Sequence, residues 1–259
     1  MADHRPAASD GFFRRRGWRG LLALGRREIL PLVLLAVSAG SIWAFVELAD
    51  EVQEGELRRL DEAILLALRN PQDASDPLGP GWVEELGRDF TALGGLGVLG
   101  LLTAAAVGFL LLTGKRRSAL LVALAVGGGM IVSSLLKRGF DRPRPDLVPH
   151  ETIVYTASFP SGHATVSTVV YLTLGALLAR TSESLPVKLY LLGLAVLLML
   201  LVGLTRVYLG VHWPSDVLAG WAVGAAWASL CWLIALILQR SGAIEPEGPP
   251  APERPLRDR

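Results

Sequence analysis

The chain has a single cysteine, three methionines and four histidines in 259 residues, and almost no excess of either charge. Cys231 cannot close an intrachain disulfide, and it lies within an apolar run far from a second soft ligand, so it reads as packing. With 25 basic side chains against 24 acidic ones, the net charge of +1 supplies no overall field of the kind that draws nucleic acid. No internal repeat stands out. What the chain has in quantity is apolar surface: hydrophobic residues make up 51% of it and the mean hydropathy is +0.44. Several runs approach the roughly 20 apolar residues that cross a bilayer.

Six such runs stand out, near 29–48, 93–113, 119–136, 162–178, 189–204 and 217–238. They are continuously apolar, whereas strands of a membrane barrel alternate apolar and polar residues over about 10 positions. The expected fold is all-α, a polytopic bundle of six transmembrane helices. The fourth and fifth runs look short, which places their ends in a polar pocket rather than in lipid. Between the first two runs, Leu57, Leu60, Ile64 and Leu68 share one helical face, which predicts a surface helix in the first extracytoplasmic loop. That segment reads equally as a structural lid or as a device admitting substrate.

The flanks divide the chain into a basic cytoplasmic segment 1–28, a membrane domain 29–239 and a disordered cytoplasmic tail 240–259 rich in proline and charge. Residues 36–41 are small, as at a cleavage site, but the basic leader is too long for a cleaved signal, and the first run reads as an uncleaved anchor. Placing the amino terminus in the cytoplasm puts 16 basic residues inside and 9 outside, as the bias of short loops requires. Five of those nine, Lys137, Arg138, Arg142, Arg144 and Arg206, sit at the ends of runs on the outer face.

Chemistry gathers at those ends. Lys137 is followed by Arg144-Pro145, where a point charge and a planar fork both suit a phosphate. Basic residues at a span end also snorkel to headgroups, and Arg138 needs no other explanation. In Pro160-Ser161-Gly162-His163, the serine suits a helix cap and the glycine admits close approach of a ligand to backbone N–H groups. Alone, the tetrapeptide is an ordinary cap. In the third stretch Arg206 precedes His212, and Asp216 lies one turn beyond that histidine, after Pro214 at the opening of a helix. A carboxylate so placed holds one ring nitrogen protonated and leaves the other for attack on phosphorus; the same pair is also consistent with a dipole partner and an interfacial aromatic.

Taken together, Lys137 with Arg144-Pro145, Pro160-Ser161-Gly162-His163, and Arg206 with His212 and Asp216 resemble the three signature motifs of the type 2 phosphatidic acid phosphatase superfamily. One departure is Thr205, where the family usually has serine, and a hydroxyl is kept. The resemblance implies a phosphatase that needs no metal and no cofactor and acts on a membrane lipid phosphate or diphosphate through a phosphohistidine. By the same resemblance, His212 is the nucleophile, Asp216 orients it and His163 protonates the leaving oxygen. Lys137, Arg144, Arg206, Ser161 and Gly162 bind the phosphate. The implied location is a bacterial inner membrane, with both termini cytoplasmic and the site facing outward. Rivals are a lipid phosphotransferase on the same scaffold, a vanadate-dependent haloperoxidase, which six spans argue against, and a non-catalytic anion-binding membrane protein. The expected partners are a lipid phosphate and the bilayer; oligomeric state is open, Gly220 and Gly224 fitting contact within one bundle better than between subunits.

Overall fold

Lipid offers a backbone no hydrogen-bonding partner, so apolar runs of this length close their own bonds as helices. The computed structural model describes residues 10–148 and 157–242, with side chains from residue 29 onward. Its elements are α1 (Asp10–Glu54), α2 (Arg58–Ala67), a hairpin of β1 (Arg69–Asn70) and β2 (Asp73–Pro77), α3 (Gly81–Ala92), α4 (Leu96–Leu112), α5 (Arg116–Phe140), α6 (Gly162–Ala179), α7 (Leu185–Tyr208) and α8 (Pro214–Arg240). The fold is the expected all-α membrane bundle. Five helices are long and apolar enough to span, and α3 with α4 makes the sixth when taken as one path bent by 44°.

Several boundaries differ from the pattern of apolar runs. α1 continues from the basic leader without a break, so the backbone from residue 10 belongs to the same helix as the first span. The second span begins earlier than expected, because the amphipathic α3 feeds into α4 through the elbow at 93–95. The fifth is not short: α7 has 24 residues and carries Arg206 in its last turn rather than in a loop. Hydrophobicity alone hides this extension, since Arg206 and Thr205 end the apolar run while the helix continues. The expected disordered tail falls, from residue 243 on, outside the described residues.

Helix α6 is the axis of the bundle. Of its most apolar stretch 67% is buried, against 6% for α1 at the periphery. Val166, Val170 and Tyr171 of α6 pack with Leu99, Val126, Ala195 and Val202 from α4, α5 and α7. Against α8 the approach is close enough to need glycine: a Cβ on Gly220 would lie 2.8 Å from the Ser161 carbonyl oxygen, and one on Gly224 would lie 2.6 Å from Thr168 Cβ. Both glycines are thus used inside the bundle.

Antiparallel neighbours bring the C-termini of α5 and α7 and the N-termini of α6 and α8 to one end. The loops there are pinned by aromatic packing, with Phe140 and Phe159 at 4.9 Å and each within about 6 Å of Phe45 on α1. α2 and the hairpin sit on the same end. Arg69 is buried and donates from Nη2 to the Tyr208 carbonyl at 2.8 Å, closing the C-terminus of α7. α2 is amphipathic as expected, but Leu60 and Ile64 point outward while Asp61 and Leu65 are buried. Only the middle of the expected stripe is exposed, Leu57 and Leu68 being half-buried, and an acid faces the protein.

Candidate active site

Four helix ends supply the site. Lys137 lies in the last turn of α5, after which Asp141 adopts the left-handed conformation (φ 40°) and turns the chain back; short polar residues such as Asp tolerate that region best among non-glycines. The reversal carries Arg142 and Arg144 over the end of the bundle, where Ser158 N–H donates to the Arg142 carbonyl at 2.8 Å. Ser161 and Gly162 open α6, Arg206 closes α7, and His212 precedes α8.

These residues converge. His163 lies within charge–charge reach of Arg206, His212, Lys137 and Arg144. Arg144 Nη1 sits 3.1 Å from His212 Nε2 and donates to the Val211 carbonyl at 2.7 Å. A guanidinium only donates, so Nε2 must be the accepting nitrogen and the ring proton lies on Nδ1. Nδ1 in turn faces Asp216 Oδ2 at 3.3 Å and Ser158 Oγ at 3.3 Å. Lys137 donates from Nζ to the Ala157 carbonyl at 2.7 Å, and a Cβ on Gly162 would stand 3.2 Å from Lys137 Cε. A side chain at that position would press on the lysine, which would have to give by a few tenths of an ångström.

The electrostatics favour a neutral imidazole at His212. His212 is 1% exposed, and burial pushes its imidazole down to about 4, with the hydrogen bond and charge of Asp216 pulling the other way and Arg144 and Arg206 adding to the fall. Burial also lowers Arg144, with Asp216 opposing; a guanidinium stays charged regardless. Two donors at the site have no partner among the described residues, Ser161 Oγ and Arg206 Nε, both buried. Arg206 is held instead through Nη1, 3.1 Å from Thr91 Oγ1 on α3. Buried polar groups are nearly always paired, so orphaned donors beside a lysine and an arginine describe a cradle for an anion.

Ser161 occupies the N-cap position of α6 as expected, yet its side chain makes no capping bond. This corrects the reading of the serine as a cap: its hydroxyl is left for something other than the helix.

Sequence reasoning missed four participants. Ser158 donates a short hydrogen bond to Asp216 Oδ2. Arg142 donates from Nη1 to Asp216 Oδ1 at 2.6 Å and from Nη2 to Asp61 Oδ2 at 2.8 Å. Asp61 comes from α2, between the first two spans, and Thr91 from α3, at the start of the second. Arg142 was visible as a third cation in the first motif; Asp61 had only the signal of an acid flanked by an apolar stripe.

Comparison with known proteins follows this geometry. The model of the PAP2 superfamily matches residues 118–240. Phosphatidylglycerophosphatase B of Bacillus subtilis is 31% identical over 186 residues, 70% of this chain and 85% of that protein. The chain belongs to the PAP2 superfamily. The lipid A 1-phosphatase of Rhizobium johnstonii is 36% identical across 49% of this chain and 52% of its own length. Among solved structures, the transmembrane PAP2 type phosphatidylglycerolphosphate phosphatase from Bacillus subtilis superposes with a TM-score of 0.63 at 27% identity, covering 78% of this chain and 98% of that one. With phosphatases as its relatives and apolar helices long enough to span a bilayer, the protein is a membrane-embedded phosphatase.

Proposed function

We propose that the protein hydrolyses the terminal phosphate of a membrane lipid phosphate or isoprenoid diphosphate through a phosphohistidine at His212. The observation that carries the reading is the Arg144–His212–Asp216 line, which fixes the tautomer and aims the Nε2 lone pair at Arg144, a donor that a phosphoryl group would draw away from it. In the first step Nε2 attacks phosphorus, the bond from phosphorus to the ester or anhydride oxygen breaks, and His163 gives that oxygen a proton. Lys137, Arg144 and Arg206 take up the charge on the three non-bridging oxygens, with Ser161 Oγ and the Gly162 N–H as further donors. Asp216 stabilises the ring as it becomes cationic on phosphorylation. In the second step His163 takes a proton from water, whose oxygen forms the new bond to phosphorus as the P–N bond breaks, and orthophosphate leaves. Every step draws on groups this chain supplies.

The lipid chains have a place to lie. His163 packs toward the α3–α4 elbow, its Cδ2 3.3 Å from where a Gly94 Cβ would be. One turn further along α6, Val166 lines an apolar groove of about 340 Å³ between α4 and α5, with Leu99, Thr103, Val126 and Met130. A leaving oxygen protonated by His163 would hand its chain to that groove, leaving the hydrocarbon in the bilayer. The excess of basic residues at the opposite end supports an outward-facing site with both termini in the cytoplasm.

Brief reaction with a ³²P-labelled lipid phosphate followed by alkaline denaturation, which spares phosphohistidine, tests the reading. The expected result is label on the wild-type chain, lost with hydroxylamine or acid and absent from His212→Ala, alongside release of inorganic phosphate. Phosphate release by His212→Ala at the wild-type rate would remove the proposal.

A further inference from the structure

We propose that Asp61, on the extramembrane helix α2, is a positioning residue for the His212–Asp216 pair and acts through Arg142. The inference rests on the catalytic reading of that pair. Asp61 is 2% exposed although its helix lies at the end of the bundle, and a carboxylate is buried so completely only when paired and hydrogen-bonded. Its partners all belong to the site. Oδ1 accepts the Ser215 N–H at 2.9 Å, and Oδ2 accepts the Ser215 hydroxyl together with Arg142 Nη2 at 2.8 Å.

Arg142 is thus shared between two acids. Nη2 binds Asp61, while Nη1 binds Asp216 Oδ1 at 2.6 Å and Ser215 Oγ at 2.8 Å. A planar guanidinium held at both ends fixes where its second edge points. Asp216 Oδ1 is held there, which leaves Oδ2 to the Ser158 hydroxyl, the Trp213 N–H at 3.0 Å and His212 Nδ1.

Two consequences follow from removing Asp61. Arg142 becomes free to pivot, and its fork closes on both oxygens of Asp216, competing with His212 for Oδ2. Its positive charge also falls on Asp216 alone, weakening the stabilisation available to a cationic, phosphorylated imidazole. Both effects act on the transition state more than on lipid binding, so turnover suffers rather than affinity. The segment between the first two spans is in this reading a buttress wired to the nucleophile.

The test uses the full-length protein in detergent micelles, with release of inorganic phosphate from dioctanoyl phosphatidic acid. Asp61→Asn should lower kcat about tenfold to a hundredfold, the range for residues that orient a site's working groups, and leave KM within about threefold of wild type. Arg142→Gln should do the same, the double variant should be no slower than the worse single one, and Asp61→Glu should recover part of the loss. His212→Ala run in parallel separates the two readings: if it stays active, the catalytic assignment fails; if it is inactive while Asp61→Asn turns over normally, the positioning role fails. Additive losses in the double variant also overturn it, as does a loss copied by Ser215→Ala with Arg142→Gln unaffected. Should Asp61→Asn show no cooperative melt, Arg142→Gln decides alone, wild-type kcat there refuting the proposal.

Discussion

The two ends of the same four helices carry similar numbers of basic side chains and use them in opposite ways. At one end Lys137, Arg142, Arg144 and Arg206 are wholly or mostly withdrawn from solvent and meet carboxylates, carbonyls, a hydroxyl and an imidazole from distant parts of the chain. At the other, Arg116, Arg117 and Arg240 are exposed, and Arg180 lies over the Trp232 ring at 5.1 Å and pairs with Gln239. Basic residues of the second kind answer to headgroups and topology; those of the first kind answer to one another and to an oxyanion. The lesson is that charge counted along a membrane protein says where a loop lies, while burial and shared partners say whether it does chemistry.

That contrast is broken most directly by exchanging the same residue type at both ends. Arg206→Met should lower kcat/KM by about a hundredfold to a thousandfold, as removal of one donor to a developing anion does, measured by phosphate release from a lipid phosphate. A loss below about threefold would show that the cation belongs to packing, since each factor of ten is only about 1.4 kcal/mol.

Much of this was legible in the chain. Residue types and spacing were enough for the six spans and the pairing of His212 with Asp216, which follow from short-range periodicity, and for the convergence of three stretches at one end, which follows from the distribution of basic residues among the loops. Asp61 and Thr91 were not, since their contacts to Arg142 and Arg206 cross 81 and 115 residues, and nothing local marks an acid on an amphipathic helix as buried. The length of α7 escapes hydropathy for a related reason: Arg206 looks like a terminator, yet within the helix its Nη1 is held by Thr91, a partner that hydropathy does not record.

A second test of the site end uses pH. His212 with its imidazole near 4 is neutral throughout the physiological range. As pH falls through about 4, Nε2 gains a proton and the lone pair is lost, so kcat/KM for the free enzyme should drop about tenfold per unit below that point. The sign is fixed by the depression: the active form is the unprotonated one, present above the shifted value. An acid limb centred instead near 6.5 would mean that the ring is not desolvated as described.

Between the two ends, the α6–α8 seam sets their distance. Gly224→Val places a branched side chain where even a Cβ would stand 2.7 Å from the Thr165 carbonyl oxygen. Overpacking of this kind costs about 1–3 kcal/mol and should lower the melting midpoint in micelles while spreading the seam where the Ser161 N–H donates to the Asp216 carbonyl at 2.9 Å, seen as a loss of kcat with it. An unchanged midpoint would mean that the helices separate freely, and the close approach would then be dispensable to the site.

The smallest effect belongs to the far end. Arg180 has a cation–π contact and one hydrogen bond to Gln239, it lies at the opposite terminus of α6 from His163, and partly exposed contacts of this type contribute on the order of 1 kcal/mol or less. Arg180→Met keeps most of the apolar stem that covers Trp232 and removes only the charge. Phosphate release should stay within about twofold of wild type, because a partly exposed charge more than a Debye length of about 10 Å away is largely screened from the site. A tenfold loss would collapse the distinction between the two ends, since it would mean that a basic residue at the opposite terminus of α6 from His163 still governs the chemistry.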